Sequence, residues 1–181
     1  MSESTTSNVL LTDALIARVG ESVTYTSPEP LSRASIRYFA LAVGDLNPIY
    51  LDDEAAKSAG LDGIVAPPTL ITETNQYMTT NRDEDGFMGH SWHLDVPDSR
   101  LVRGGNTYEF SQYARPDDVV TSTWTIADMI ERRTSKGVPM LVVTSEAVYR
   151  NQRGETICTN TESLVFTSLL APPAAATGGV S

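Results

Sequence analysis

Residues of types that do chemistry near neutral pH gather in a few places in this chain. The first is Gly44-Asp45-Leu46-Asn47-Pro48-Ile49-Tyr50. Asp45 offers a carboxylate that can serve as a base. Read alone, an aspartate between a helix-ending glycine and Asn-Pro is most simply a turn residue bonded to its own backbone. Tyr50 carries a phenol with an ordinary pKa of about 10, so only ~0.1% is ionised at pH 7; it suits giving a hydrogen bond or a proton better than taking one. The second place is Gly89-His90-Ser91-Trp92-His93, which holds both histidines of the chain. On a helix their spacing would suit a metal, but no acidic pair completes a ligand pattern, and the stretch lacks the second glycine of a nucleophile elbow. The simplest expectation for His90 and His93 is a solvent-facing loop, with a role at the mouth of a substrate site as the sharper one. Cys158, beside Ile157 in an alternating stretch with no base to activate it, reads as small core packing. Arg100 and Arg103 precede a strand-like segment, where they can meet phosphates through charge-assisted hydrogen bonds. Arg132, Arg133 and Lys136 read as an exposed hairpin.

Composition narrows the setting. The chain has 181 residues, 13 Lys+Arg against 23 Asp+Glu, and a formal net charge of −10. A general nucleic-acid binder needs a clustered basic surface and is excluded by that balance. A single cysteine excludes an internal disulfide and a cysteine zinc cluster. No apolar run approaches the ~20 residues of a membrane-spanning helix, and the first residues lack the basic start and apolar core of a signal peptide. The expectation is a cytoplasmic protein with one folded domain over residues 9–168, a polar tail at 1–8 and an Ala/Pro/Gly-rich tail at 169–181.

The elements that must position these residues come in two textures. Val23 to Thr26 is a plausible first strand. Ser32 can cap a helix with Ile36, Phe39, Ala40 and Val43 on one face, and Gly44 is placed to end it. Asp53 to Ala59 reads as a short amphipathic helix ending at Gly60. After Pro67-Pro68, the segment Thr69 to Thr79 is helix-compatible, with Leu70, Ile71, Thr74 and Tyr77 facing one way; proline is tolerated at a helix entry, where the first N–H groups have no intrahelical partner. From Thr107 the period changes to two. Strands are predicted over 107–113, 120–126, 140–149 and 156–167, with a tight turn at Asn151-Gln152-Arg153-Gly154 and Trp124, Tyr108 and Phe110 in the core. Strands following a helical half predict an α+β fold with one antiparallel sheet and helices on one face.

The stretch from Phe39 to Tyr50, continued by Asp53-Glu54-Ala55-Ala56 and Gly63-Ile64-Val65-Ala66-Pro67-Pro68-Thr69, resembles the hydratase motif of MaoC-like hotdog proteins, Gly-Asp-x-Asn-Pro-aliphatic-His. The Ala-Pro-Pro-Thr run, Arg103-Gly104-Gly105-Asn106-Thr107-Tyr108-Glu109-Phe110 and Ala114-Arg115-Pro116-Asp117-Asp118-Val119 are similar to its N-terminal, FAS1-like dehydratase branch. The resemblance implies a hotdog fold, a curved antiparallel sheet wrapped around the helix after Pro68. It also implies a homodimer or heterodimer with another hotdog chain. The implied reaction adds water to a 2-enoyl thioester, or removes it from a 3-hydroxyacyl thioester, as in fatty acid or polyketide metabolism. The acyl chain would ride on CoA or a carrier protein's phosphopantetheine, with no metal or redox cofactor. Carried over residue by residue, Asp45 is the base and Asn47 its brace, while Tyr50 stands where the family has histidine. Glycine is frequent in the family where this chain has Ala66-Pro67-Pro68. Proline lacks an N–H, so Thr69 is left to polarise the thioester. These departures leave alternatives to a self-sufficient hydratase: a non-catalytic subunit paired with a complete Asp/His hotdog chain whose acyl pocket it shapes, or an enzyme recruited to another elimination or cyclisation.

Overall fold

The computed structural model describes residues 9–74 and 89–170. The two terminal tails and the part of the helix expected over 75–79 fall outside these residues, apart from Leu169 and Leu170. Among the described residues the elements follow in the order α1 (Asp13–Ile16), β1 (Ser22–Thr26), α2 (Arg33–Val43), a 3-10 turn (Pro48–Tyr50), α3 (Asp53–Ser58), α4 (Pro68–Thr74), β2 (Ser99–Phe110), β3 (Thr121–Arg133), β4 (Pro139–Arg150) and β5 (Thr156–Ser168). The strands form one antiparallel sheet in the order β1-β3-β4-β5-β2. The helices precede β2, so the α+β expectation holds.

Local chemistry explains the helix that carries Asp45. Ser32 Oγ accepts the Ser35 N–H at 2.9 Å, and Ser35 Oγ accepts the Ser32 N–H at 3.0 Å, a reciprocal cap that satisfies two N-terminal donors. Gly44 ends α2 in the left-handed conformation, φ 74°, which glycine adopts without a Cβ penalty. Ile36 and Ala40 are fully buried and Phe39 partly so, whereas Val43, expected on the same face, is 55% exposed. The final turn of α2 carries Leu41, Val43 and the following Leu46 outside the core. α1 was not expected; with only four residues, capped by Thr12, it is too short to show a period.

Two strands run differently from their sequence pattern. β2 begins at Ser99 rather than Thr107, so Arg100 and Arg103 lie within it, and it ends before Ser111. A register shift between Arg103 and Gly105 breaks the alternation that would have revealed it. β3 runs on to Arg133, its period likewise broken between Ile126 and Asp128. The turn at Asn151–Gly154 is as expected, with the Gly154 N–H donating to the Asn151 carbonyl at 2.9 Å. One core joins Ile36, Leu70 and Ile71 to Trp124, Leu141, Val143, Tyr149 and Cys158. Tyr108 and Phe110 are not core residues: they are 38% and 42% exposed, because β2 is an edge strand. Among the described residues no helix is long and apolar enough to cross a membrane.

Candidate active site

Asp45 is placed by the end of α2. Its amide donates to the Ala40 carbonyl at 2.9 Å, which locks the chain reversal at Gly44. Its carboxylate is exposed and accepts the Asn47 N–H at 3.3 Å. Asn47 in turn caps the 3-10 turn, its Oδ1 accepting the Ile49 N–H at 3.2 Å. Each side chain bonds the backbone two residues on, so Asn47 acts on the loop that carries Asp45, as expected of a brace. Pro48 starts the turn, and Tyr50 follows it into the protein.

Tyr50 is 5% exposed. Burial pushes its phenol above the usual value, and the nearby Asp45 carboxylate and Tyr113 push it further the same way. The group in the histidine position is therefore firmly protonated at neutral pH. It can give a hydrogen bond toward an oxygen beside Asp45, but it cannot take a proton from water. Tyr113, half-exposed, completes this group. Sequence reasoning read it as the end of a strand; only the exposure of an aromatic residue beyond that strand marks it.

The segment after α3 leads to the other side of the site. The Ile64 N–H binds Asp53 Oδ1 at 3.0 Å, the Val65 N–H binds the Ile49 carbonyl at 3.2 Å, and the Ala66 N–H binds the Ala114 carbonyl at 2.8 Å. Ala66 is wholly buried and its donor is taken, so it is not available to a thioester oxygen. Pro67 and Pro68 have no donor. Thr69, exposed at the second position of α4, carries the next amide, and an N–H there has no acceptor within the helix. A cavity of about 260 Å³ opens beside it, lined by Pro68, Phe110, Ser111, Gln112 and Tyr113. Tyr113 links the two places: it lines this cavity, and with Asp45 it acts on the Tyr50 phenol.

The remaining expected site residues lie elsewhere. His90 is buried, not solvent-facing: its ring stacks on Trp124 at 4.8 Å, meets Trp92 edge-on at 4.4 Å, and its Nδ1 lies 3.0 Å from the Tyr25 hydroxyl. Trp92 and Trp124 make an apolar slot that the sequence spacing does not reveal, and burial there lowers its pKa to about 4. The charges that act on His90 are those of His93, Arg103 and Glu21, whereas those acting on Tyr50 are Asp45 and Tyr113. His90 is thus held by Tyr25, Trp92 and Trp124. His93 is exposed, with φ 46°. Arg103 pairs with the buried Glu162 at 2.6 Å, and Arg100 is exposed on β2. Burial holds the Cys158 thiol up at about 11, as suits an unreactive core residue.

A UPF0336 protein of Streptomyces coelicolor is 39% identical over 108 residues, covering 60% of this chain and 68% of its own. A probable enoyl-CoA hydratase alpha subunit of Thermomonospora curvata is 29% identical over 142 residues, covering 72% of this chain and 43% of its own. Among solved structures, the ChsH1-ChsH2 complex from Mycobacterium tuberculosis superposes with a TM-score of 0.65 at 20% identity, covering 88% of this chain and 92% of the matched one. The model of the FAS1-like, dehydratase domain region matches residues 17–160. The fold is the hotdog, and the chain belongs to the FAS1-like dehydratase family of MaoC-like hotdog proteins.

Proposed function

We propose that this chain is the substrate-holding subunit of a two-chain enoyl-thioester hydratase/3-hydroxyacyl-thioester dehydratase. In that role it contributes Asp45 and part of the acyl pocket while a complete Asp/His hotdog chain supplies the proton-transfer pair. Hydration joins the water oxygen to the β-carbon, passes a water proton to a base, and places a proton on the α-carbon through an enolate that N–H donors stabilise. A single observation carries the reading. Beside Asp45, where the family has a histidine poised to exchange protons, stands a buried phenol that burial and the carboxylate keep protonated.

The pocket supports the same reading. A cavity of about 260 Å³ lies beside Thr69, the first residue after the two prolines. It suits one segment of an acyl thioester carried by CoA or phosphopantetheine, with the rest enclosed by a second chain. Thr69 is the donor this chain has left to offer the thioester oxygen. Its relatives accord with this, one being a probable enoyl-CoA hydratase alpha subunit and one a chain of the ChsH1-ChsH2 complex.

Reconstitution tests this. Purified chain is mixed with a hotdog chain carrying an intact Gly-Asp-x-Asn-Pro-x-His, and loss of the conjugated enoyl absorbance of a short and a bulky 2-enoyl-CoA is followed. Turnover should require both chains and vanish when the partner's motif histidine is replaced. A mixture no faster than the partner alone, on both substrates, would sink the proposal.

A further inference from the structure

The buried face of β5 carries Cys158, Asn160, Glu162, Leu164 and Phe166 in alternation. Asn160 and Glu162 interrupt an otherwise apolar row. Glu162 is answered by Arg103 across the strand pair at 2.6 Å. Asn160 is only half answered. It is 1% exposed, its Nδ2 donates to Asn106 Oδ1 at 2.9 Å, and its Oδ1 has no hydrogen-bond partner among the described residues. Its neighbour on the other side, Ala147 of β4, has no polar side-chain atom to offer. Buried polar atoms are nearly always hydrogen-bonded, so an amide left waiting for a donor calls for an explanation. A leucine would fill the same place and leave nothing unpaired.

The surroundings indicate what would answer it. Asn106, Tyr108 and Phe110 of β2 stand opposite Glu162, Asn160 and Cys158 and face the same side of the sheet. Tyr108 and Phe110 stack with ring centroids 6.1 Å apart and planes 20° from parallel, a strip of aromatic surface. Phe110 also lines the cavity of about 260 Å³ beside Thr69. From that cavity the row runs Phe110, Tyr108, Asn106, so the amides lie two places further along the same face. At the ordinary rise of a strand this is about 13 Å, the reach of an extended chain of roughly ten carbons. The Arg103–Glu162 pair borders the amides, so the row turns from apolar to polar there. An acyl chain leading away from a thioester at Thr69 would cross the aromatic strip and meet an amide with an open acceptor. A ketone has no proton to give Asn160 Oδ1. A hydroxyl gives one and can still accept from Asn106 Nδ2.

We propose that Asn160, with Asn106, selects the far part of the acyl chain: a long acyl thioester bearing a hydroxyl roughly ten carbons from the thioester carbon. This inference rests on the function proposed above and names the class of acyl group that function acts on.

Binding tests it without turnover, because saturated acyl-CoAs cannot be hydrated. Dodecanoyl-CoA and its 4-, 8-, 10- and 12-hydroxy forms are titrated calorimetrically into the full chain and into the reconstituted two-chain complex. The best of the far-hydroxylated chains should bind at least about tenfold tighter than dodecanoyl-CoA, which leaves the buried amide unpaired. The 4-hydroxy form should gain nothing. Asn160→Leu should erase the advantage and bind dodecanoyl-CoA no more weakly than wild type does. Asn106→Leu, on the exposed strand, should also reduce it and keeps the test open should Asn160→Leu not fold. Arg132→Glu, on the exposed hairpin, should change neither affinity. Equal affinities for plain and far-hydroxylated chains in wild type would overturn the site and leave Asn160 holding an ordered water only, with the functional reading still standing. So would an advantage that survives both substitutions. Failure of the chain and of the complex to bind any of these acyl-CoAs would instead overturn the functional reading, and this site with it.

Discussion

An imidazole and a phenol differ by about 3.5 pKa units before any fold acts on them, and at position 50 the fold widens the gap, since burial and Asp45 both raise the phenol. Replacing Tyr50 by histidine restores a group able to exchange protons beside Asp45. Tyr50→His should therefore give the isolated chain measurable 2-enoyl-CoA hydration that Tyr50→His/Asp45→Asn lacks; equal rates in the two would show that position 50 does not address the substrate. The motif was legible because Gly-Asp-x-Asn-Pro dictates its own turn: the side chains of Asp45 and Asn47 bond the backbone two residues on. His90 was not legible, because its burial depends on Trp92 and on Tyr25 and Trp124 from β1 and β3. Its pKa, lowered from 6.5 to about 4, means that the unfolded chain binds the proton first as pH falls. The stability this buried neutral ring contributes is present above about pH 6.5 and is lost between there and about pH 4. Thermal melts across that window should show a fall in Tm that His90→Gln reduces; parallel profiles for the two proteins would place the acid sensitivity elsewhere.

The element that presents Asp45 is held at both ends by chemistry readable in the sequence. Ser32 and Gly44 were identifiable as cap and terminator because each acts within a few residues of itself. Ser32→Ala should cost about 1 kcal/mol, seen as a Tm lower by roughly 2–4 °C for a protein of this size, with little effect on the site. Gly44→Ala forces a Cβ into a left-handed turn, φ 74°, and should cost about as much while also loosening Asp45. Equal effects of the two substitutions on the Tyr50→His activity would contradict that separation. β2 and β3 were legible only in part. A bulge inverts the facing pattern partway along each, and a period-two reading stops where the inversion occurs.

At the scale of the molecule the order of helices then strands was enough to give the class of fold, since each hairpin between β3, β4 and β5 is local and its turn is marked in sequence. The outermost places of β1 and β2 were not marked, because they follow from pairings with strands far along the chain. That is why Tyr108 and Phe110, apolar and alternating, read as core and proved exposed. On the function proposed above, a chain with a phenol in the histidine position works against a second chain. The decisive measurement is hydration of a 2-enoyl-CoA by the purified wild-type chain alone, run beside Tyr50→Phe and Asp45→Asn. No turnover above buffer is expected from any of the three. Wild-type turnover that either substitution removes would contradict it and make the phenol a working member of a self-sufficient site.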